Sequence, residues 1–182
     1  MRHSMANLVP LFDAVAPNEG VLKTPIKHLN LFRISTPLPR TPMAYEPQII
    51  IMIQGQKIIY LGGKSYIYDP FNYVVLSVPL PLECTIVYED NKPALGLSIA
   101  VDPALIGEIL LGDARIRAEG KGMPSGIYAS PLSEQMADAT FRLLQTLATR
   151  NEATILGPMI VREILFRVLC DEHGWALQAA VL

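Results

Sequence analysis

The chain has 182 residues, 51% hydrophobic and 18% charged, the composition of one folded globular domain and not of a disordered or fibrous chain. A formal net charge of −2 at pH 7 argues against a chain that grips a phosphate backbone. No apolar run approaches the ~20 residues that span a bilayer. The N-terminus lacks the apolar core of a signal peptide. Cys84 and Cys170 lie far apart among apolar residues, and read as two buried free thiols in a reducing cytoplasm.

Residues 1–24 are weakly patterned and predict an arm or a short helix. Leu29 to Ser35 reads as a first strand. Thr36 to Pro47 carries Pro37, Pro39, Pro42 and Pro47, which predicts an extended, irregular linking loop. Then come Gln48–Gln54, Lys57–Leu61 and Lys64–Tyr68, β-branched and aromatic runs separated by Gly55-Gln56 and Gly62-Gly63. This spacing predicts two hairpins in succession.

If Gln54 pairs with Lys57 and Leu61 with Lys64, one face of the meander carries Ile51, Ile53, Ile58, Tyr60, Ser65 and Ile67. The other carries Ile50, Met52, Ile59, Leu61 and Tyr66, ending in Gln54, Lys57 and Tyr68. A sheet apolar on both sides is either sandwiched or rolled into a barrel with something packed outside.

Asp69 to Asn72 is a turn, and Tyr73 to Val78 the next strand. Pro79 and Pro81 predict a bend that breaks pairing. Glu83 to Glu89 alternates, with Cys84, Ile86 and Tyr88 on one face. Leu95, Leu97, Ile99 and Val101 alternate with Ala94, Gly96, Ser98 and Ala100, small residues that let another backbone come close. Asp102-Pro103 is an N-cap followed by Pro, and the helix it opens stops at Gly112. Gly120 to Gly126 is a loop. Ser130-Pro131 repeats the cap-plus-Pro start, and Leu132, Met136, Ala139, Leu143 and Leu147 form one helical stripe. Asn151 to Thr154 predicts a break, a second helix runs from about Pro158 to Glu172, and Trp175 to Leu182 trails off as a linker.

The three histidines, His3, His28 and His173, lie outside the strand-rich region and form no H-x-H pair, so no catalytic metal is expected. Gly62-Gly63-Lys64-Ser65 lacks phosphate-loop spacing, and no Ser-His-Asp or Cys-His set is present. No catalytic residue and no cofactor is assigned. Tyr60, Tyr66, Tyr68, Tyr73 and Tyr88 are either good strand formers or the aromatic walls of a pocket.

Tyr45-Glu46-Pro47, Gln54-Gly55-Gln56-Lys57, Tyr66-Ile67-Tyr68-Asp69-Pro70, Asp102-Pro103, Pro158 to Leu165 and Glu172-His173-Gly174 stand in an order that resembles the N-terminal domain of AraC-type bacterial transcription regulators. The likeness covers roughly residues 25–175. It implies a cupin-like barrel followed by helices, the effector-sensing and dimerising half of a regulator. In such regulators a pair of helix-turn-helix modules follows at the C-terminus, so either DNA is read beyond Leu182 or the protein lacks the DNA-reading half.

The sequence therefore predicts a mostly β fold: a cupin-like antiparallel barrel or sandwich at 25–128, with a short helix at 103–111. An αα-hairpin at 129–174 and the start of a linker at 175–182 follow. A small-molecule effector is expected against Ile51, Ile53, Ile58, Tyr60 and Ser65. A homodimer is expected through Leu132, Met136, Leu143 and Leu147. The protein is expected in the cytoplasm, without a membrane partner and without enzymatic activity. The alternatives are a cupin-type enzyme and a ligand-free structural dimerisation domain.

Overall fold

The computed structural model describes residues 5–87, 92–112, 116 and 126–181. A 3-10 turn, Met5–Leu8, leads into helix α1 (Val9–Val15). Strands β1 (Gly20–Lys23), β2 (Leu29–Ile34), β3 (Leu38–Tyr45), β4 (Gln48–Gln54), β5 (Gln56–Leu61), β6 (Lys64–Tyr68), β7 (Asn72–Leu76), β8 (Leu80–Val87) and β9 (Ala94–Ala100) follow. The chain then runs through α2 (Pro103–Gly112), β10 (Ile127–Pro131), α3 (Glu134–Thr146), α4 (Arg150–Leu169) and α5 (Gly174–Val181). Most of the expected loop at Gly120 to Gly126, with Tyr88 and Glu89, lies outside the described residues.

The strands form two antiparallel sheets, a six-stranded one in the order β1-β2-β9-β4-β7-β10 and a four-stranded one in the order β3-β8-β5-β6. They stack as a sandwich, and the helices cover the outer face of the larger sheet. Strand β4 sits between β9 and β7, apolar on both faces because both are buried. Ile49, Ile51 and Ile53 join the core shared with the helices, whereas Ile50 and Met52 face the second sheet. A continuous apolar run suits a strand with a packed layer on either side.

The expected meander is corrected at its first turn. Gly55, at φ 81°, carries the chain from one sheet into the other, so Gln54 does not pair with Lys57. A Cβ at this glycine would stand 3.0 Å from the Ala94 Cα, which leaves no side chain room at the crossing. The second turn keeps its expected register: Tyr60 faces Ser65 and Leu61 faces Lys64.

The proline-rich stretch 36–47 is not a loop. It forms β3, an edge strand with a register shift between Leu38 and Thr41, where a missing N–H costs no ladder bond. Pro81 does not break pairing either, because it stands opposite Ala44 beside that edge. Ser130-Pro131 does not start a helix: it closes β10, paired with Tyr73 and Asn72. The cap is Ser133, whose hydroxyl accepts from the Met136 N–H at 3.2 Å.

The expected break at 151–154 lies earlier, at Ala148 and Thr149, where the Thr149 hydroxyl accepts from the Glu152 N–H. α4 runs through Pro158, since Ala153 and Gly157 already press the preceding turns onto the core. Trp175 to Val181, expected to trail off, belong to α5, which buries Ala176 and Leu177. Gly96 is the close approach its small-residue face predicts: a Cβ there would stand 2.4 Å from Phe32 Cζ and 2.8 Å from the Ile51 carbonyl.

Candidate functional site

The five residues expected to share an effector face are split by the crossing at Gly55. Ile51 and Ile53 lie buried against the helices. Ile58, Tyr60 and Ser65 lie on the outer face of the smaller sheet, with Ile67 beside them 47% exposed. On that outer face the Arg40 guanidinium stacks over Tyr60 at 4.2 Å and donates from Nε to Glu83 at 2.6 Å. The one-face register that joined these five residues is therefore corrected.

Ile53 also lines a groove of about 900 Å³. It is lined by Met5, Val9 and Pro10, by the crossing Gln54 to Gln56, by the Asp69–Phe71 turn with Val87, by Leu132, Ser133 and Ala137, and by Lys92. The volume falls in the range of small-molecule sites, and the mix of apolar walls with a few polar groups is typical of them. The groove touches both sheets' connecting strands, α1 and the start of α3, so an occupant would bear on all of them.

A second polar feature lies between the sheets. Lys57 is 6% exposed, and its Nζ stands 4.3 Å from the centre of the Phe32 ring. Burial lowers its pKa, with the nearby Cys84 thiol pulling the other way. Tyr68, opposite Lys57 on β6, is fully buried, its hydroxyl beside the Tyr45 hydroxyl and the Cys84 thiol. Burial raises the pKa of Tyr68 and of its neighbour Tyr45.

A third lies between β7, β10 and the end of α4. There the Ser130 hydroxyl donates to Asp171 at 2.9 Å, and Tyr128 stacks on His173 with ring centres 5.7 Å apart. Burial, then the Asp171 carboxylate, raises the pKa of Tyr73. Of the tyrosines weighed as pocket walls, Tyr68 and Tyr73 are thus core residues and Tyr60 is half-buried. Among the described residues no three His, Cys, Asp or Glu side chains gather as a metal ion would require, and no helix is long and apolar enough to cross a membrane.

The stripe expected to seat a partner is turned inward. Met136 and Leu143 are buried in the domain's own core, and Leu132 and Leu147 pack half-buried against it. Exposed apolar residues are scattered over the surface, among them Leu111, Phe71 and Val21, but α4 carries several on one helix: Ile155 at 67%, Met159 at 64% and Phe166 at 40%. They recur at four- and seven-residue steps, one face of a helix. Beside them Glu163 accepts from Arg142 at 2.9 Å and from Arg167 at 2.6 Å, tying α3 to α4. Cys84 is buried as expected, but Cys170 is exposed at the end of α4.

Sequence reasoning missed the groove because its wall residues come from six separate segments. The signal at Lys57 was present: a lysine in register with Ile59 and Leu61 on a face of apolar neighbours.

The family model for the AraC-type transcriptional regulator N-terminus matches residues 25–176. No match was found among curated proteins. Among solved structures, the chain is similar to an apo single-residue variant of ToxT from Vibrio cholerae strain SCE256, at 11% identity and a TM-score of 0.50. That match covers 83% of this chain and 56% of the other. It is also similar to wild-type ToxT of the same strain with an unsaturated fatty acid bound, at 10% identity and a TM-score of 0.50, covering 83% of this chain and 55% of that one. The chain thus spans a little over half the length of both structures, and at these identities the likeness is one of fold.

Proposed function

Since the chain belongs to the family of AraC-type transcriptional regulator N-termini, we propose that it is the effector-sensing and dimerising part of a cytoplasmic, non-enzymatic regulator that meets DNA through another part of the protein. The observation that carries the sensing role is the groove of about 900 Å³ where α1, α3 and the crossing between the sheets meet. An occupant there would bind sheet and helix together, which is what a signal passed from barrel to helices needs. ToxT has been seen with an unsaturated fatty acid. A ligand of that class, a long apolar chain with one polar end, suits a mostly apolar lining that includes the exposed Lys92.

Dimerisation is assigned to α4. Ile155, Met159 and Phe166 project from a helix whose opposite face is fixed on the core, so a second copy can cover them without disturbing the fold.

The test of sensing is a thermal melt of the domain with an unsaturated long-chain fatty acid, together with native mass spectrometry. A saturable rise in melting temperature is expected in the wild type. Val9→Trp, which fills the groove from its wall, should abolish it. A wild type that neither retains nor responds to the fatty acid, or a Val9→Trp variant that responds equally, overturns the reading.

A further inference from the structure

The turn Asp69-Pro70-Phe71-Asn72 is held at four points. The Asp69 carboxylate accepts the Phe71 N–H at 2.9 Å and the Asn72 side-chain amide at 3.1 Å. The Asn72 N–H donates to the Asp69 carbonyl at 3.1 Å, and the Leu132 N–H donates to the Phe71 carbonyl at 2.7 Å. Asp69, Pro70 and Asn72 have the chemistry a turn demands, Pro70 by its fixed φ and the other two by their hydrogen bonds. The bonds of Phe71 come from its backbone, which any residue supplies. Its side chain adds little to the fold, because Phe71 is 77% exposed.

Single exposed apolar side chains are ordinary on a protein surface. Phe71 is not single. It lines the groove beside α1, and so do Pro10 and Val87, which are exposed as well. A phenyl ring on a fixed backbone is well suited to close over an apolar occupant. It offers a large contact area and has only two side-chain torsions to order.

We propose, on the reading of the groove as the effector site, that Phe71 is its affinity-determining residue, the ring folding onto the hydrocarbon chain of a bound fatty acid. Its carbonyl is bonded to Leu132, one residue before the Ser133 cap, so closure at Phe71 bears directly on the start of α3.

The test measures binding of oleic acid, kept below its micelle-forming concentration, by isothermal titration of the whole chain. Wild type, Phe71→Ala and Phe71→Leu are compared, with a thermal melt of each without ligand. Covering the open three quarters of a Phe side chain predicts about five- to fiftyfold weaker binding in Phe71→Ala. Phe71→Leu, which keeps an apolar side chain, should lose less, and the three unliganded melts should coincide. Phe71→Trp adds a direct readout. Its emission should move to shorter wavelength as oleic acid is added, over the baseline of the wild type, whose single tryptophan is Trp175.

Wild-type affinity in Phe71→Ala overturns the proposal, and so does a Phe71→Trp emission that stays in place at saturation. An unliganded Phe71→Ala that melts well below wild type overturns it too, because the ring then holds the fold instead of the ligand. A wild type that binds oleic acid while Phe71 is indifferent sinks the role of Phe71 alone and leaves the groove standing. A wild type that does not bind sinks both.

Discussion

Replacing Met159 by Asp separates the two helical faces as candidates for self-association. Met159 is 64% exposed in the single chain, so the monomer draws little stability from it. Fully burying such a side chain contributes ~1.5–3 kcal/mol, so covering its open two thirds contributes ~1–2 kcal/mol. A two-fold interface uses each residue twice, which makes ~2–4 kcal/mol per dimer, or roughly 30- to 900-fold in dissociation constant. An aspartate at the seam adds the cost of burying a charge.

Sedimentation of Met159→Asp should therefore show a monomer, with a circular dichroism spectrum and melt like wild type. Leu143→Ala is the control from α3. Leu143 is wholly buried in the domain's own core, so the change should cost ~2–5 kcal/mol of stability and lower the melt before it alters association. A Met159→Asp dimer as tight as wild type refutes the assignment to α4. A Leu143→Ala chain that is folded, undiminished in stability and monomeric returns the interface to α3.

Glu163→Gln should lose about 1 kcal/mol at pH 7, since Arg142 and Arg167 both lose their carboxylate. Burial would raise the Glu163 pKa, but the hydrogen bonds from Arg167 and Arg142 outweigh it and hold it below the usual carboxylate value. The contribution is thus present above the unfolded pKa, ~4.3, and lost as pH falls through the lower folded value. Denaturation of the two proteins from neutral to acid pH should show their difference closing over that window, and a constant difference contradicts this. Gly157→Ala gains up to ~1 kcal/mol of helix propensity, but its Cβ would stand 2.5 Å from Ile26 Cδ1 and 2.6 Å from Cγ1. Ile26 is 1% exposed and cannot swing away, so net destabilisation of about 1–2 kcal/mol is expected, relieved in an Ile26→Ala background; a more stable Gly157→Ala contradicts the packing. Tyr128→Phe removes a buried hydroxyl that has no partner, so its melt should match or exceed wild type, and a marked loss would mean the hydroxyl is engaged.

Local chemistry alone determined much of this protein. Asp102 caps α2, its carboxylate accepting the Ala104 N–H at 3.0 Å, as Asp-Pro predicts. Gly62-Gly63 turns β5 into β6 in the expected register, because both glycines adopt the positive φ that such a turn needs. The double-sided apolarity of residues 48–54 announced a layer on each side. Each signal is contained in a few neighbouring residues.

The tertiary structure decided what depends on distant partners. Gln54-Gly55-Gln56 reads locally as a hairpin, but Ile51 and Ile53 gain a helical layer only if β4 lies between β9 and β7, and the chain must then change sheets at Gly55. That one crossing divided the expected effector face and opened the groove beside it. The stripe from Leu132 to Leu147 has the same periodicity whether it meets a second chain or its own sheet. Which surface it meets is set by how much apolar sheet is left to cover, and the outer face of the six-stranded sheet takes Met136 and Leu143 into the core. α4 buries its own stripe through Ile160, Ile164 and Val168, and leaves Ile155, Met159 and Phe166 exposed on its other face.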